Sequence, residues 1–146
     1  MNIRQATLED MEVALDIFSR FLNETRFGIF TLNADKALLH ISDLIRRKCV
    51  VFAVEGDVIH GALALEPMAY PFTDDACLSQ KFFYVYPEKR ASRAAVMLRD
   101  SALEYAERAR VPLFMDHMSG VDTERKDAFF EAAGFEKIGS TFIYGK

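Results

Sequence analysis

The sequence predicts one domain over residues 1–146, of the α/β (α+β) class, with a mixed central sheet and about four helices. The length of 146 residues suits a single domain of ordinary size. A hydrophobic fraction of 51%, with 13 Phe and 5 Tyr, excludes a disordered chain. The hydrophobic period changes between helical spacing and strict alternation along the chain, which indicates the element order β-α-α-β-β-β-α-β-α-β.

The first third of the chain predicts one strand and two helices. Residues 3–6 predict a short strand, and Thr7-Leu-Glu-Asp10 is typical of a capping box at the start of a helix over residues 8–24. A glycine-containing aromatic connector over residues 25–33 follows. Asp35 is then expected to cap a second helix.

The rest of the chain predicts five strands and two helices. Two strands joined by a Gly56-Asp57 hairpin turn come first, and a third strand ends at Pro87. A long amphipathic helix, a strand, a short helix closed by Gly134 and a last strand follow. The predicted strands are residues 49–55, 58–66, 78–86, 111–117 and 137–144, and the predicted helices are residues 93–108 and 124–133.

Charge, cysteines and hydropathy narrow the class of protein. Eighteen Lys and Arg against 22 Asp and Glu give a net charge of −4, which disfavours wholesale binding to a nucleic-acid backbone. Cys49 and Cys77 lie far apart without metal-ligand spacing, so we predict no metal site and a reducing compartment. The apolar runs are far shorter than the roughly 20 residues that cross a bilayer, and the N-terminus has no leader pattern. We therefore expect a cytoplasmic protein with no membrane partner.

Two motifs give the chain its resemblance to a known family. Residues 90–95, Arg-Ala-Ser-Arg-Ala-Ala, follow the strand that ends at Pro87 and open the long helix. They resemble the acetyl-CoA-binding pattern Gln/Arg-x-x-Gly-x-Gly/Ala of the GCN5-related N-acetyltransferase (GNAT) superfamily. Residues 129–135, Phe-Phe-Glu-Ala-Ala-Gly-Phe, are similar to that family's aromatic-Tyr-Glu-x-x-Gly-Phe motif. The Arg-x-Ser-Arg-Ala variant resembles GNAT proteins of bacteriophages and prophages.

The physical chemistry of the first motif fits a pyrophosphate. The first turn of a helix offers unpaired backbone N–H groups and the positive end of the helix dipole. Small side chains would let phosphate oxygens approach, and arginines and a hydroxyl would donate further hydrogen bonds. The residues in these roles are Arg90, Ala91, Ser92, Arg93, Ala94 and Ala95.

Neither glycine of the family pattern is present in this motif. The site therefore requires a turn built from ordinary right-handed backbone, which L-residues adopt without strain. The alternative interpretation of the segment is an alanine-rich helix start with exposed arginines.

The resemblance also implies how the rest of acetyl-CoA, the predicted co-substrate, would bind. In the family, the strand before the pyrophosphate turn parts from its neighbour, and its backbone pairs with the pantetheine arm. The matching residues are Phe83, Tyr84 and Val85, and the N–H of Val85 would polarise the thioester carbonyl. Phe130 stands at the position of the family's general-acid tyrosine, where it can pack against the cofactor but cannot donate a proton.

The catalytic side chains depart from the family pattern. Ser79 stands where many members have a base glutamate, and Thr123 where they have an asparagine. His117 ends the strand that would border the cleft, and histidine titrates near neutral pH, so we predict it as the base or acid. Tyr144 on the last predicted strand is the candidate proton donor to sulfur. The alternatives are a hydrogen-bonded structural histidine and a tyrosine of the core or of an interface.

The leading functional hypothesis is an acetyl-CoA-dependent N-acetyltransferase. It would move an acetyl group to a primary amine of a small molecule or a protein by direct attack on the thioester, and its aromatic content would allow a homodimer. A second hypothesis is a non-catalytic, phage-type GNAT-fold protein that acts through CoA or a protein partner. A third is an acetyltransferase toxin acting on charged tRNA, which the net charge of −4 disfavours. His40 and His60 are interpreted as structural or surface groups.

Overall fold

A computed structural model describes residues 1–145 and contains five strands and four α-helices. The strands are β1 (Asn2–Gln5), β2 (Val50–Glu55), β3 (Val58–Met68), β4 (Cys77–Val85) and β5 (Leu113–Phe114). They form one sheet in sequence order. The pairs from β1 to β4 are antiparallel, whereas β5 runs parallel to β4, so the sheet is mixed as predicted.

The helices cover the sheet on both faces. They are α1 (Met11–Glu24), α2 (Ala34–Arg46), α3 (Ala94–Ala109) and α4 (Thr123–Glu131). Short 3₁₀ turns lie at Leu8–Asp10, Arg26–Ile29 and Pro87–Lys89. None of the helices within residues 1–145 is long and apolar enough to cross a membrane. The predicted α/β class with four helices is confirmed.

The alternation of side chains along β4 divides the core into two layers. Phe82 and Tyr84 belong to the layer that α1 and α2 cover. Phe83 and Val85 belong to the opposite layer, where they lie with the fully buried Leu98 of α3. Strand β4 is therefore fixed from both sides, and the end of the strand is positioned by the whole core.

The two N-terminal helices begin somewhat differently from the prediction. The Asp10 carboxylate accepts a hydrogen bond from the Thr7 amide at 2.8 Å, but the first turn after Thr7 is a 3₁₀ turn and α1 starts at Met11. Asn33 caps α2 instead of Asp35, because the Asn33 side-chain oxygen accepts the N–H of Lys36 at 3.0 Å. The predicted N-cap of the second helix, Asp35, therefore lies two residues after the observed one.

The predicted last strand, residues 137–144, does not form. This segment has no regular secondary structure and pairs with none of the five strands. Its alternating sequence favours a strand, but a strand also needs a neighbour whose backbone groups it can pair with. Here residues 136–145 are all exposed, and the Tyr144 side chain is fully exposed.

Candidate active site

Strands β4 and β5 part soon after they meet. They pair at two positions, the second of which joins Ser79 to Phe114. The side chain of Gln80 bridges the strands at the next position, where its Nε2 donates to the carbonyl oxygen of Asp116 at 3.0 Å. Beyond this bridge no strand in the described chain lies beside β4 on the side away from β3, which leaves a cleft between β4 and β5.

The cleft exposes backbone groups of β4. Tyr86 donates its N–H to the carbonyl oxygen of His60 at 3.0 Å, and Tyr84 pairs with β3. Because hydrogen bonds alternate along an antiparallel ladder, the N–H and C=O groups of Phe83 and Val85 point the other way, into the cleft. The backbone of Tyr84, which we predicted to pair with the cofactor as well, is instead directed to β3. Strand β4 thus presents an open edge with which an extended ligand can pair.

The turn between β4 and α3 has an ordinary backbone. The φ angle is −67° at Arg90 and −78° at Arg93, and no residue between them has a positive φ. The turn therefore does not need the glycines that the motif lacks. Ala94 is fully buried at the start of α3, whereas Ala91 and Arg93 are exposed.

The Ser92 hydroxyl lies inside this turn. Its oxygen accepts the N–H of Ala94 at 3.2 Å and lies 3.4 Å from Nδ1 of His60. His60 is 4% exposed, so it is a buried support of the turn and not a surface group. Ser92 therefore already holds one N–H group at the start of α3, that of Ala94.

The Arg90 guanidinium spans the end of the cleft. Its Nε donates to the carbonyl oxygen of Val85 at 3.0 Å, and its Nη2 donates to Oε2 of Glu24 at 2.5 Å. The second oxygen of Glu24 accepts the hydroxyl of Tyr84 at 2.6 Å. Burial and the Glu24 carboxylate raise the pKa of Tyr84 well above its usual range, so this hydroxyl keeps its proton. Glu24 is part of the site, although no motif in the sequence marks it.

His117 is held by a carboxylate. Its Nε2 lies 2.5 Å from Oδ1 of Asp127, and Oδ2 of Asp127 accepts from Nζ of Lys137 at 2.8 Å. Lys137 and His117 together hold the pKa of Asp127 below its usual range. Because an ionised carboxylate only accepts hydrogen bonds, Nε2 of His117 donates to Asp127, and Nδ1 is the ring nitrogen that lies outside this pair. This is the arrangement expected of an oriented base.

An aromatic cluster connects His117 to β4. The His117 ring lies parallel to the ring of Phe130, with 6.1 Å between the centroids. Phe130 in turn lies edge to face with Phe83, at 6.4 Å. The structure therefore brings the predicted catalytic histidine together with two of the predicted cofactor residues.

Lys126 adds a cation that the sequence analysis missed. Its ammonium group donates to the hydroxyl of the buried Ser119. Burial and the nearby charge of Arg90 lower the pKa of Lys126. The charge of Lys126 therefore acts on the same region as that of Arg90, whose own charge is paired with Glu24. The signal that could have indicated Lys126 is its position four residues before Phe130, which places both on one face of α4.

Tyr144 lies apart from all of these groups. Its fully exposed side chain is not brought to His117 within this chain. No group of three or more His, Cys, Asp or Glu side chains among the described residues is placed to hold a metal ion.

Comparison with known proteins identifies the fold. No family model matches the sequence, and no curated protein matches it either. A solved structure of a probable acetyltransferase has a TM-score of 0.74 at 20% identity, covering 100% of this chain and 97% of the other. A predicted acetyltransferase from Clostridium acetobutylicum, solved with acetyl-CoA, has a TM-score of 0.73 at 16% identity, covering 99% and 95%. An aminoglycoside antibiotic 6′-N-acetyltransferase from Acinetobacter haemolyticus has a TM-score of 0.69 at 17% identity, covering 100% and 98%.

These likenesses define the class of fold. At identities of 16–20% they show that the chain has the fold of the GNAT acetyltransferases, which is the fold that the two motifs predicted. The parting of β4 and β5, the turn that follows β4 and the helix after that turn are the features of this fold that position the site.

Proposed function

We propose that the protein is an acetyl-CoA-dependent N-acetyltransferase that moves an acetyl group to a primary amine of a small molecule or a protein. The observation that carries this proposal is the open edge of β4 at Phe83 and Val85, which lies beside the His117–Asp127 pair. The likeness in fold to acetyltransferases, one of them solved with acetyl-CoA, supports it.

The residues of the cleft fit the chemical parts of acetyl-CoA. The amide groups of a pantetheine arm can pair with the free backbone groups of Phe83 and with the free N–H of Val85, as one more strand would. The pyrophosphate would lie at the start of α3, on the backbone N–H of Ala95 and against the exposed Arg93, while the N–H of Ala94 stays with Ser92. The small side chain of Ala91 does not block the approach of the pyrophosphate to the turn.

Arg90 and Lys126 would supply the remaining positive charge. Arg90 now bonds to the carbonyl oxygen of Val85 and to Glu24, so a turn of its guanidinium to a phosphate would also free that carbonyl for the pantetheine arm. The positive charge of Arg90 reaches Lys126 and lowers its pKa, and a bound anion would relieve this repulsion.

Acetyl-CoA, when bound, supplies the acetyl thioester, and the chain's own groups supply proton transfer and polarisation. Nδ1 of His117 accepts a proton from the attacking amine, while Asp127 keeps the ring in the required tautomer. The N–H of Val85 donates to the carbonyl oxygen on which negative charge develops. As the N–C bond forms and the C–S bond breaks, His117 can return the proton to the departing sulfur. Tyr144, our other predicted donor, would have to come from outside this chain's own cleft.

The test is a titration with acetyl-CoA followed by an assay of thiol release over a panel of primary amines and lysine peptides. Ala91→Glu should weaken acetyl-CoA binding at least about tenfold, because a carboxylate in the turn repels the pyrophosphate. Ala109→Glu, an exposed position at the other end of the same helix, is the matched control and should bind like the parent protein. A parent protein that does not bind acetyl-CoA contradicts the proposal.

The position of Phe130 favours the second hypothesis, a GNAT-fold protein that binds CoA or a partner without catalysis. A phenyl ring at this point cannot protonate sulfur, and it packs against His117 in the structure. Binding of acetyl-CoA with no acetylated product from any amine would support this alternative.

Two finer proposals concern the origin and the location of the protein. The Arg-x-Ser-Arg-Ala variant supports a phage-type protein. The free thiols of Cys49 and Cys77 support a cytoplasmic protein.

A further inference from the structure

His60 lies at a bulge of β3, next to the end of β4. Consecutive residues of β2 pair with Ile59 and with Gly61, so His60 is an extra residue inserted between the two pairs. Its carbonyl oxygen accepts the N–H of Tyr86 at 3.0 Å, just before the turn that leads to α3. A bulge turns a side chain away from the regular alternation of its strand. The buried ring of His60 reaches the inner side of this turn, where it meets Ser92.

The imidazole ring of His60 joins a carboxylate to the start of α3. Its Nε2 lies 3.6 Å from Oε2 of Glu55, and its Nδ1 lies 3.4 Å from the hydroxyl oxygen of Ser92. The same oxygen accepts the N–H of Ala94 at 3.2 Å. Because the ring is only 4% exposed, it acts on a ligand at the start of α3 through Ser92.

The protonation state of His60 decides where the Ser92 hydroxyl can donate. A hydroxyl has one proton to donate and two lone pairs that accept. A neutral ring whose proton faces Glu55 uses Nδ1 as an acceptor, so the proton of Ser92 is directed to the ring. A protonated ring donates from both nitrogens, so its Nδ1 donates to Ser92 instead. The Ser92 oxygen then accepts from His60 and from Ala94, and its proton is free for an anion.

The charges around His60 make this change sensitive to a bound anion. The carboxylate of Glu55 favours the protonated ring, whereas the arginines of the turn, Arg90 and Arg93, oppose it. Arg90 is itself paired with Glu24 at 2.5 Å, and Arg93 is exposed. A pyrophosphate at the start of α3 would add negative charge on the far side of the hydroxyl and would therefore favour the protonated ring.

We propose that His60 is a positioning residue of the phosphate site and takes up a proton when a pyrophosphate binds at the start of α3. The proton comes from the solvent and enters at Nδ1, and Ser92 turns its own hydroxyl proton from His60 to a phosphate oxygen. Linkage then requires that the affinity for acetyl-CoA rises as the pH falls through the range in which histidine titrates. This inference rests on the proposed function, because that function places the pyrophosphate at the start of α3.

Calorimetric titration of the full-length protein with CoA tests the proton uptake. The heat of binding, measured in two buffers with different enthalpies of ionisation, gives the number of protons that are taken up. The parent protein should take up protons at about pH 7, and His60→Asn should take up fewer. Between about pH 8 and about pH 6, the affinity of the parent protein for CoA should rise about tenfold more than that of His60→Asn. His40→Asn, the same change at an exposed position of α2, is the matched control and should behave like the parent protein.

Nitrogen NMR of the His60 ring gives a readout on the parent protein itself, which needs no variant to fold. At about pH 7.5, Nδ1 of the free protein should have the chemical shift of an unprotonated imidazole nitrogen. Saturation with CoA should move this shift toward that of a protonated nitrogen. Ring nitrogens that do not change when CoA binds, or a His60→Asn variant that takes up as many protons as the parent protein, would overturn this inference and leave the proposed function in place. A parent protein that binds no CoA would overturn both.

Discussion

Replacement of His117 by alanine is expected to lower the rate of acetyl transfer by about 10²–10⁴-fold, the usual contribution of general acid–base catalysis. The proposed mechanism uses Nδ1 of His117 to accept the proton of the attacking amine. Nε2 is already occupied by Asp127, at 2.5 Å, so no other atom of the ring can take this role. The measurement is the turnover number at saturating amine, determined from the rate at which free thiol is released.

Two controls separate catalysis from binding and from folding. The His117→Ala variant should bind acetyl-CoA like the parent protein, because the open edge of β4 and the turn before α3 remain in place. His40→Ala removes an exposed histidine of α2 and should leave the rate unchanged. A rate within twofold of the parent value would remove His117 from the mechanism.

Replacement of Phe52 by alanine is expected to cost about 3–5 kcal/mol of the free energy of unfolding. Phe52 lies on β2, is 0% exposed and is the largest fully buried side chain of the layer that α1 and α2 cover. Its removal leaves a cavity that this layer can only partly fill by relaxation. Urea unfolding of the parent protein and of the variant gives the difference in their free energies of unfolding.

Phe30 supplies the matched control for this change. It is 59% exposed, so Phe30→Ala should change the free energy of unfolding by about 0.5 kcal/mol or less. A loss below about 1 kcal/mol for Phe52→Ala would show that this layer is not packed as described.

The fold was predictable because its main elements depend on local patterns. The alternation along β4 places Phe82 and Phe83 on opposite faces of the sheet, and both faces are covered. The prediction of a last strand over residues 137–144 was wrong for a reason that local sequence does not contain. These residues have strand propensity, but a strand forms only where an open edge of the sheet lies within reach. Local sequence does not show which edge of a sheet a strand-forming segment can reach.

A motif marks the candidate site at Arg90. His117 was expected to end a strand over residues 111–117, but β5 ends at Phe114 and His117 lies three residues beyond it. The groups that hold these two residues were not predictable. Glu24 precedes Arg90 by 66 positions, and nothing in its own surroundings distinguishes it from an ordinary acid near a helix end. Asp127 and Lys126 lie on α4, whose weak apolar face gave little indication of which side meets the cleft.

The central claim, that acetyl-CoA pairs with the open edge of β4, is tested most directly by residue-resolved amide hydrogen exchange. With acetyl-CoA added, the amides of Phe83 and Val85 should exchange at least about tenfold more slowly, since each gains a hydrogen-bond partner. The amide of Tyr84, which already faces β3, should change least of the three and serves as the internal control. Binding of acetyl-CoA that leaves the exchange of Phe83 and Val85 unaltered would contradict the account.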